Sequence, residues 1–251
     1  MAGRAAFYSA VLISAGLLMA PAAGADTPAA AATHAPKTWA VLSDAVIDPG
    51  RLLPPPPVDG SERQKAELAE VERIYHTRTA DRYARAQWDD QHEDPSLFDG
   101  VLGPAFDLAR LPATAKLLAL VDNDQVVAAT HAKIYFKRIR PWSIDPTIIP
   151  CDYKPNANPA TSYPSGHATL GYSVGYVLAA LMPDKAKIIL ARADDYAYSR
   201  EVCGDHYASD TEASHVLGTA VAIQMLNDPK VAAMVETARA ELIAAGLTAG
   251  R

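Results

Sequence analysis

The chain has 251 residues, 49% of them hydrophobic, with 23 Lys and Arg against 29 Asp and Glu and a formal net charge of -6. That hydrophobic share is ample for a buried core and excludes disorder as the default state. The negative balance argues against nucleic acid as a partner, because phosphate backbones select excess positive charge, so any cationic site must be local.

The first residues read MAGRAAFYSAVLISAGLLMAPAAGA: one basic residue, Arg4, an apolar stretch of about 16 residues, then the small-x-small pattern Ala23-Gly24-Ala25. This predicts a signal peptide over 1–25, cleaved near Ala25, and a periplasmic or secreted mature chain. The apolar stretch is shorter than the ~20 residues a spanning helix needs, so a membrane anchor is the weaker reading. Residues 26–36 read as a flexible leader and 37–251 as the folded domain. LLPPPP at 52–57 predicts polyproline II running over a surface. Ser61 and Gln64 form a capping-box pair, and Leu68, Val71 and Tyr75 follow at helical spacing, so a helix should start near residue 62.

After PSGH at 164–167, the segment ATLGYSVGYVLAALMP carries Gly171, Gly175 and Ala179 every four residues. Small residues at that spacing let a second helix approach closely, which makes this a central packing helix ending before Pro183. A last helix is expected with Asn227 or Asp228 as cap and Pro229 at its first position. Val231, Met234, Val235, Ala238 and Leu242 would form its apolar stripe and Gly246 would end it. Nothing between these elements alternates like a strand, so the fold class is all-α, a single domain. No other span of about 20 apolar residues follows, so no membrane span is expected in the mature chain.

The two cysteines, Cys151 and Cys203, would enter an oxidising compartment after export, and their pairing as a disulfide is expected, two buried thiols being the alternative. No Walker loop, dinucleotide fingerprint or H-E-x-x-H is present.

Three short clusters carry chemistry. In KIYFKRIRP, Lys133 and Arg140 are seven residues apart, which on a helix places them two turns apart on one face, with Pro141 as the stop. In PSGH, Ser165 and the amide of Gly166 open the small-residue helix, where free N–H groups suit an anion, and His167 follows. SREVCGDHYASD supplies Arg200, His206 and, four residues on, Asp210. Taken singly these are a solvated basic face, a helix cap and a surface His–Asp pair. Taken together, three cations, two histidines, a helix mouth and an orienting carboxylate are the parts needed to handle a phosphoryl group.

K-x6-R-P, then P-S-G-H, then S-R-x5-H-x3-D resembles the signature of the superfamily that joins type 2 phosphatidic acid phosphatases, bacterial class A non-specific acid phosphatases and vanadium-dependent haloperoxidases. LLPPPP, SYPSGH and SR..CG.H..SD resemble the exported class A acid phosphatases in particular, over roughly residues 50–245. The resemblance implies that superfamily's helical bundle and a phosphomonoester hydrolase working through a phosphohistidine. His206 would be the nucleophile, Asp210 its orienting partner and His167 the general acid and then base. Lys133, Arg140, Ser165, Gly166 and Arg200 would bind the phosphate oxygens. It also implies small-molecule phosphate esters as substrates, no metal and no cofactor, and is compatible with a homo-oligomer. Cys151 and Cys203 match cysteines found around the same motifs in that class.

Two rival readings use the same residues: a vanadate-dependent haloperoxidase with His206 as the vanadate ligand, and a non-catalytic oxyanion-binding protein. Three positions depart from the class pattern or add charge to it. Thr161 stands where relatives tend to have glycine, Lys137 is expected to face solvent, and Asp205 precedes the nucleophile. His34, His76, His92 and His215 are not expected to act, His131 is expected to border the site, and the acidic loop DDQHEDP is expected to be solvated.

Overall fold

The computed structural model describes residues 1–3 and 37–249, so most of the expected signal peptide and all of the leader, His34 included, lie outside the described residues. Among the described residues there are helices and no strand. In chain order they are α1 (Pro49–Leu52), α2 (Glu62–Thr77), α3 (Ala80–Gln91), α4 (Asp99–Leu102), α5 (Pro112–Phe136), α6 (Pro141–Ile144), α7 (Gly166–Leu181), α8 (Ala186–Val202), α9 (Ala208–Asn227) and α10 (Ala232–Ala244). None is long and apolar enough to cross a membrane.

Local chemistry sets most of these boundaries. Ser61 caps α2 by accepting a hydrogen bond from the Gln64 amide at 3.2 Å, as the sequence predicts. The reciprocal half of the box is absent: Gln64 Oε1 accepts from the Gly60 amide at 3.1 Å, and its Nε2 donates to the Tyr207 hydroxyl at 3.2 Å. The proline run lies at the surface and is fastened to the SYPSGH loop by the Tyr163 hydroxyl, which donates to the Pro54 carbonyl at 2.6 Å. The start of α5 borrows its cap from α10, where the Glu241 carboxylate accepts from the amides of Ala113 (3.0 Å) and Thr114 (2.8 Å). α10 begins at Ala232, later than expected, because Asp228 accepts from the Lys230 amide at 2.8 Å and holds 228–230 in a turn. Gly246, at φ +69°, ends it as expected, with the Leu247 amide donating back to the Leu242 carbonyl at 2.9 Å.

α7 is the axis of the bundle, almost wholly buried, packed most closely against α8 and α9 and then α5. The small-residue stripe explains this contact. A Cβ on Gly171 would come within 2.9 Å of the Tyr196 ring, and one on Gly175 would meet Phe98 at 3.2 Å and Ala193 at 3.3 Å. The tightest approach involves Gly218 on α9, where a Cβ would lie 2.7 Å from Tyr172 Cβ, 2.9 Å from the Thr169 carbonyl oxygen and 3.0 Å from the Ser173 nitrogen. Two of those obstacles are backbone and cannot turn aside.

Gly218→Ala is therefore expected to destabilise the protein by about 1–3 kcal/mol in denaturant unfolding, because overpacking forces two helices apart. Gly100→Ala, where a Cβ meets nothing within 4 Å, should change stability little.

Candidate active site

The site forms where the mouth of α7 meets the ends of α5 and α8 and the start of α9. Ser165 is the N-cap of α7, its hydroxyl accepting from the Ala168 amide at 3.3 Å. The Ser214 hydroxyl of α9 donates to the Ser165 carbonyl at 3.0 Å, which fastens the PSGH turn to α9. Gly166 follows at the first helical position, and the Tyr163–Pro164 peptide just before is cis.

The two basic residues of the first cluster do not share a helix. α5 stops at Phe136, and Lys137 closes it in the left-handed conformation (φ 53°, ψ 35°) with its side chain exposed, as expected. Lys133 therefore reaches in from the last turn of α5, whereas Arg140 (φ -73°, ψ 151°) reaches in from extended chain before α6, whose first residue is Pro141. Thr161 joins them. Its carbonyl accepts from Lys133 Nζ at 2.5 Å and its hydroxyl accepts from Arg140 Nε at 3.2 Å, so this departure from the class pattern supplies an anchor that glycine lacks.

Nor is the third cluster one helix. α8 ends at Val202, the chain turns through Gly204 at φ +73°, and Asp210 sits in the first turn of α9. The turn still delivers the expected pair, with His206 Nδ1 3.3 Å from Asp210 Oδ2 and both residues buried. Asp210 is fixed from several sides: Ser162 Oγ donates at 2.6 Å, the Tyr207 amide at 3.0 Å, and Arg138 Nη1 at 2.6 Å. Arg138, itself buried over the Tyr207 ring, pairs on its far side with Glu67 at 2.5 Å. The Cys151–Cys203 disulfide is formed, joining residues 52 apart and tethering the loop before PSGH to the end of α8.

A cavity of about 320 Å³ is lined by Lys133, Arg140, Gly166, His167, Arg200 and His206, among others. Three chain segments thus converge on one opening. Ser165 and Asp210 stand behind it, fully buried. The two arginines are held by carboxylates that the motif does not contain. Asp205 bridges Arg200 (Nη2, 2.7 Å) and Arg140 (Nη1, 3.2 Å), and Asp90 holds Arg200 Nη1 at 2.6 Å. Arg200 Nε is buried with no hydrogen-bond partner among the described residues, a donor suited to an anion.

The acidic loop is not simply solvated: Asp89 is buried against Arg192, Asp90 pairs with Arg200, and Glu93 lines the cavity. Arg138, Asp90 and Glu93 carry no spacing signal in the sequence that marks them, and Ser162 was visible only as the first residue of SYPSGH. Asp205 was visible as a charge beside His206. His131 does not border the cavity; it lies 2.9 Å from Asp44 and packs edge-on to Trp39. His215 stacks on Tyr172, and His92 stacks on Trp88.

Burial pushes both site imidazoles well below their ordinary value. For His206 it is reinforced by Arg140, Lys133 and Arg200; for His167 it is reinforced by Arg200 and opposed by the Asp90 carbonyl. His206 is thus a neutral ring with Nδ1 turned to Asp210, leaving Nε2 for the cavity. Burial, then Arg140, pushes Lys133 down to about 7.

A group whose pKa is lowered in the empty site takes up a proton when an anion binds, so affinity falls as pH rises through its free value. Sulfate, which does not titrate in this range, is expected to bind about tenfold more weakly per pH unit above 7, read by calorimetry. Lys133→Met should bind sulfate weakly at every pH and flatten that dependence.

The PAP2 superfamily model matches residues 114–232. An acid phosphatase of Zymomonas mobilis is 33% identical over 199 residues, 78% of this chain and 75% of that protein. A non-specific acid phosphatase of Providencia stuartii is 27% identical over 248 residues, 94% of this chain and 96% of that protein. One from Salmonella typhimurium is 26% identical over 196 residues, covering 76% and 78%. With both histidines, the three cations and the helix mouth of the expected signature gathered at one cavity, the chain belongs to the PAP2 superfamily and groups there with the bacterial non-specific acid phosphatases.

Proposed function

We propose that this protein is an exported acid phosphatase that hydrolyses small phosphomonoesters through a phosphohistidine on His206, without a metal. The observation that carries the reading is the convergence of Lys133, Arg140 and Arg200 with two imidazoles on one cavity. The names of its relatives support the same reaction, and the sequence pattern of residues 1–25 supports export to the periplasm or medium.

In this mechanism the three cations and the Gly166 amide bind the non-bridging oxygens, and the neutral His206 attacks phosphorus through Nε2. Asp210 accepts the Nδ1 proton's hydrogen bond and stabilises positive charge developing on the ring. It is braced for that by Arg138, Ser162 and the Tyr207 amide. His167 protonates the ester oxygen as the P–O bond breaks, then removes a proton from the water that releases phosphate. Alcohols in place of that water would give phosphotransfer as a side activity. His167 is held neutral in the empty site, and the substrate's negative charge favours its protonated form, so the proton required enters with substrate at acidic pH. Three positioned cations bind the phosphate oxygens directly, which is the role a metal would otherwise fill.

Turnover of 4-nitrophenyl phosphate is expected to survive excess chelator, to peak below neutral pH and to be inhibited by vanadate, which adopts the five-coordinate geometry. Loss of activity in chelator with recovery on adding a divalent ion would refute the metal-free step. Acid-quench trapping should give a phosphohistidine in the wild type and none in His206→Ala. Halide oxidation requiring vanadate, without ester hydrolysis, would instead identify a haloperoxidase.

A further inference from the structure

His167 is held through one ring nitrogen by the segment at the end of α3 and faces it with the other. Its Nε2 lies 3.1 Å from the Asp90 carbonyl oxygen, which can only accept, so that nitrogen carries a hydrogen. The titrating nitrogen is therefore Nδ1, and the group facing it is Glu93 Oε1 at 3.3 Å. The same oxygen would stand 3.4 Å from a Cβ on Gly166, so the carboxyl overhangs the mouth of α7 where phosphate oxygens are expected. Glu93 lines the cavity, and about half of its side chain is open to solvent, so it can swing as substrate enters.

Resting on the phosphatase reading above, we propose that Glu93 is a positioning residue for His167: the two side chains share one proton, and the carboxylate keeps that proton on the pair for delivery to the leaving group. The other charged and titratable groups around the pair pull both ways. Lys133 and Asp122 come from α5, Arg140 from the extended chain before α6, Arg200 and Tyr196 from α8, His206 from the turn before α9 and Asp90 from the end of α3. The nearby cations Arg200, Arg140 and Lys133 all disfavour imidazolium at His167. Glu93 is the acidic side chain in contact with its Nδ1.

As the His206 Nε2–P bond forms and the P–O ester bond breaks, the Nδ1 proton of His167 passes to the ester oxygen and the alcohol departs. The pair is left as neutral imidazole and carboxylate. In the second step water loses its proton to Nδ1 as its oxygen bonds to phosphorus and the His206–P bond breaks, so the pair regains the proton it gave.

Leaving-group dependence separates this role from a structural one, since 4-nitrophenolate departs with little proton assistance and an alkoxide does not. In Glu93→Gln the alkaline limb of kcat/KM is expected to move down by about one pH unit. The ratio of 4-nitrophenyl phosphate to glycerol 2-phosphate turnover should rise by at least about tenfold. Glu93→Asp should restore much of both. An unmoved limb with an unchanged ratio, or an equal loss on both esters, would overturn the proposal. Titrating the His167 imidazole by NMR in wild type and Glu93→Gln provides a readout independent of turnover. A pKa lowered in the variant while neither protein hydrolyses esters would keep the pairing and remove the phosphatase reading; an unchanged pKa would remove the pairing.

Discussion

Placing several positive side chains around one small cavity is electrostatically unfavourable, and the structure depends on how that repulsion is offset. Lys133, Arg140 and Arg200 are all held away from bulk water, where like charges repel far more strongly than at a surface. Asp205 spans two of them and Asp90 takes the remaining face of Arg200. Behind the cavity Arg138 does the reverse, supplying positive charge to the buried Asp210 and drawing on Glu67 for its own balance. Removing one partner from such a pair strands a buried charge, which costs about 3–5 kcal/mol, so each partner requires the other to stay in place. Lys133 is the exception: its nearest partner is a neutral carbonyl, and it is the cation whose charge is lost near neutrality.

The apolar core makes this possible by holding helix ends, rather than helix faces, at the site. Small residues on α7 and α9 bring their axes close enough that the PSGH turn and the first turn of α9 share hydrogen bonds. The disulfide ties the loop before PSGH to the end of α8. The site is thus assembled from chain termini of rigid elements, which fixes donors in place before any ligand arrives and lowers the reorganisation required during reaction. The two imidazoles are differentiated by what grips them: His206 by a buried carboxylate with several donors of its own, His167 by a carbonyl and a half-exposed carboxyl. The first environment keeps a buried ring neutral and in one tautomer, and the second sets its ring beside a carboxyl that solvent reaches.

What the sequence by itself determined was local. The Ser61 and Ser165 caps, the end of α7 before Pro183, the Gly246 stop and the exposed Lys137 all depend on residues within a few positions of one another. The motif residues were legible too, because their order and spacing resemble a known signature, and six of them line one cavity. Tertiary structure decided the rest. α5 ends at Phe136 and Arg140 reaches the cavity from extended chain, although seven-residue spacing fits one helix equally well. Asp90 and Glu93 leave a run of acids that reads as solvated and meet Arg200 and His167, which lie more than 70 residues along the chain. The ion pair between Arg138 and Asp210 likewise joins distant segments. Capping and periodicity are set by neighbours in sequence, whereas the pairing of buried charges is set by which segments packing brings together. No spacing along the chain encodes the second.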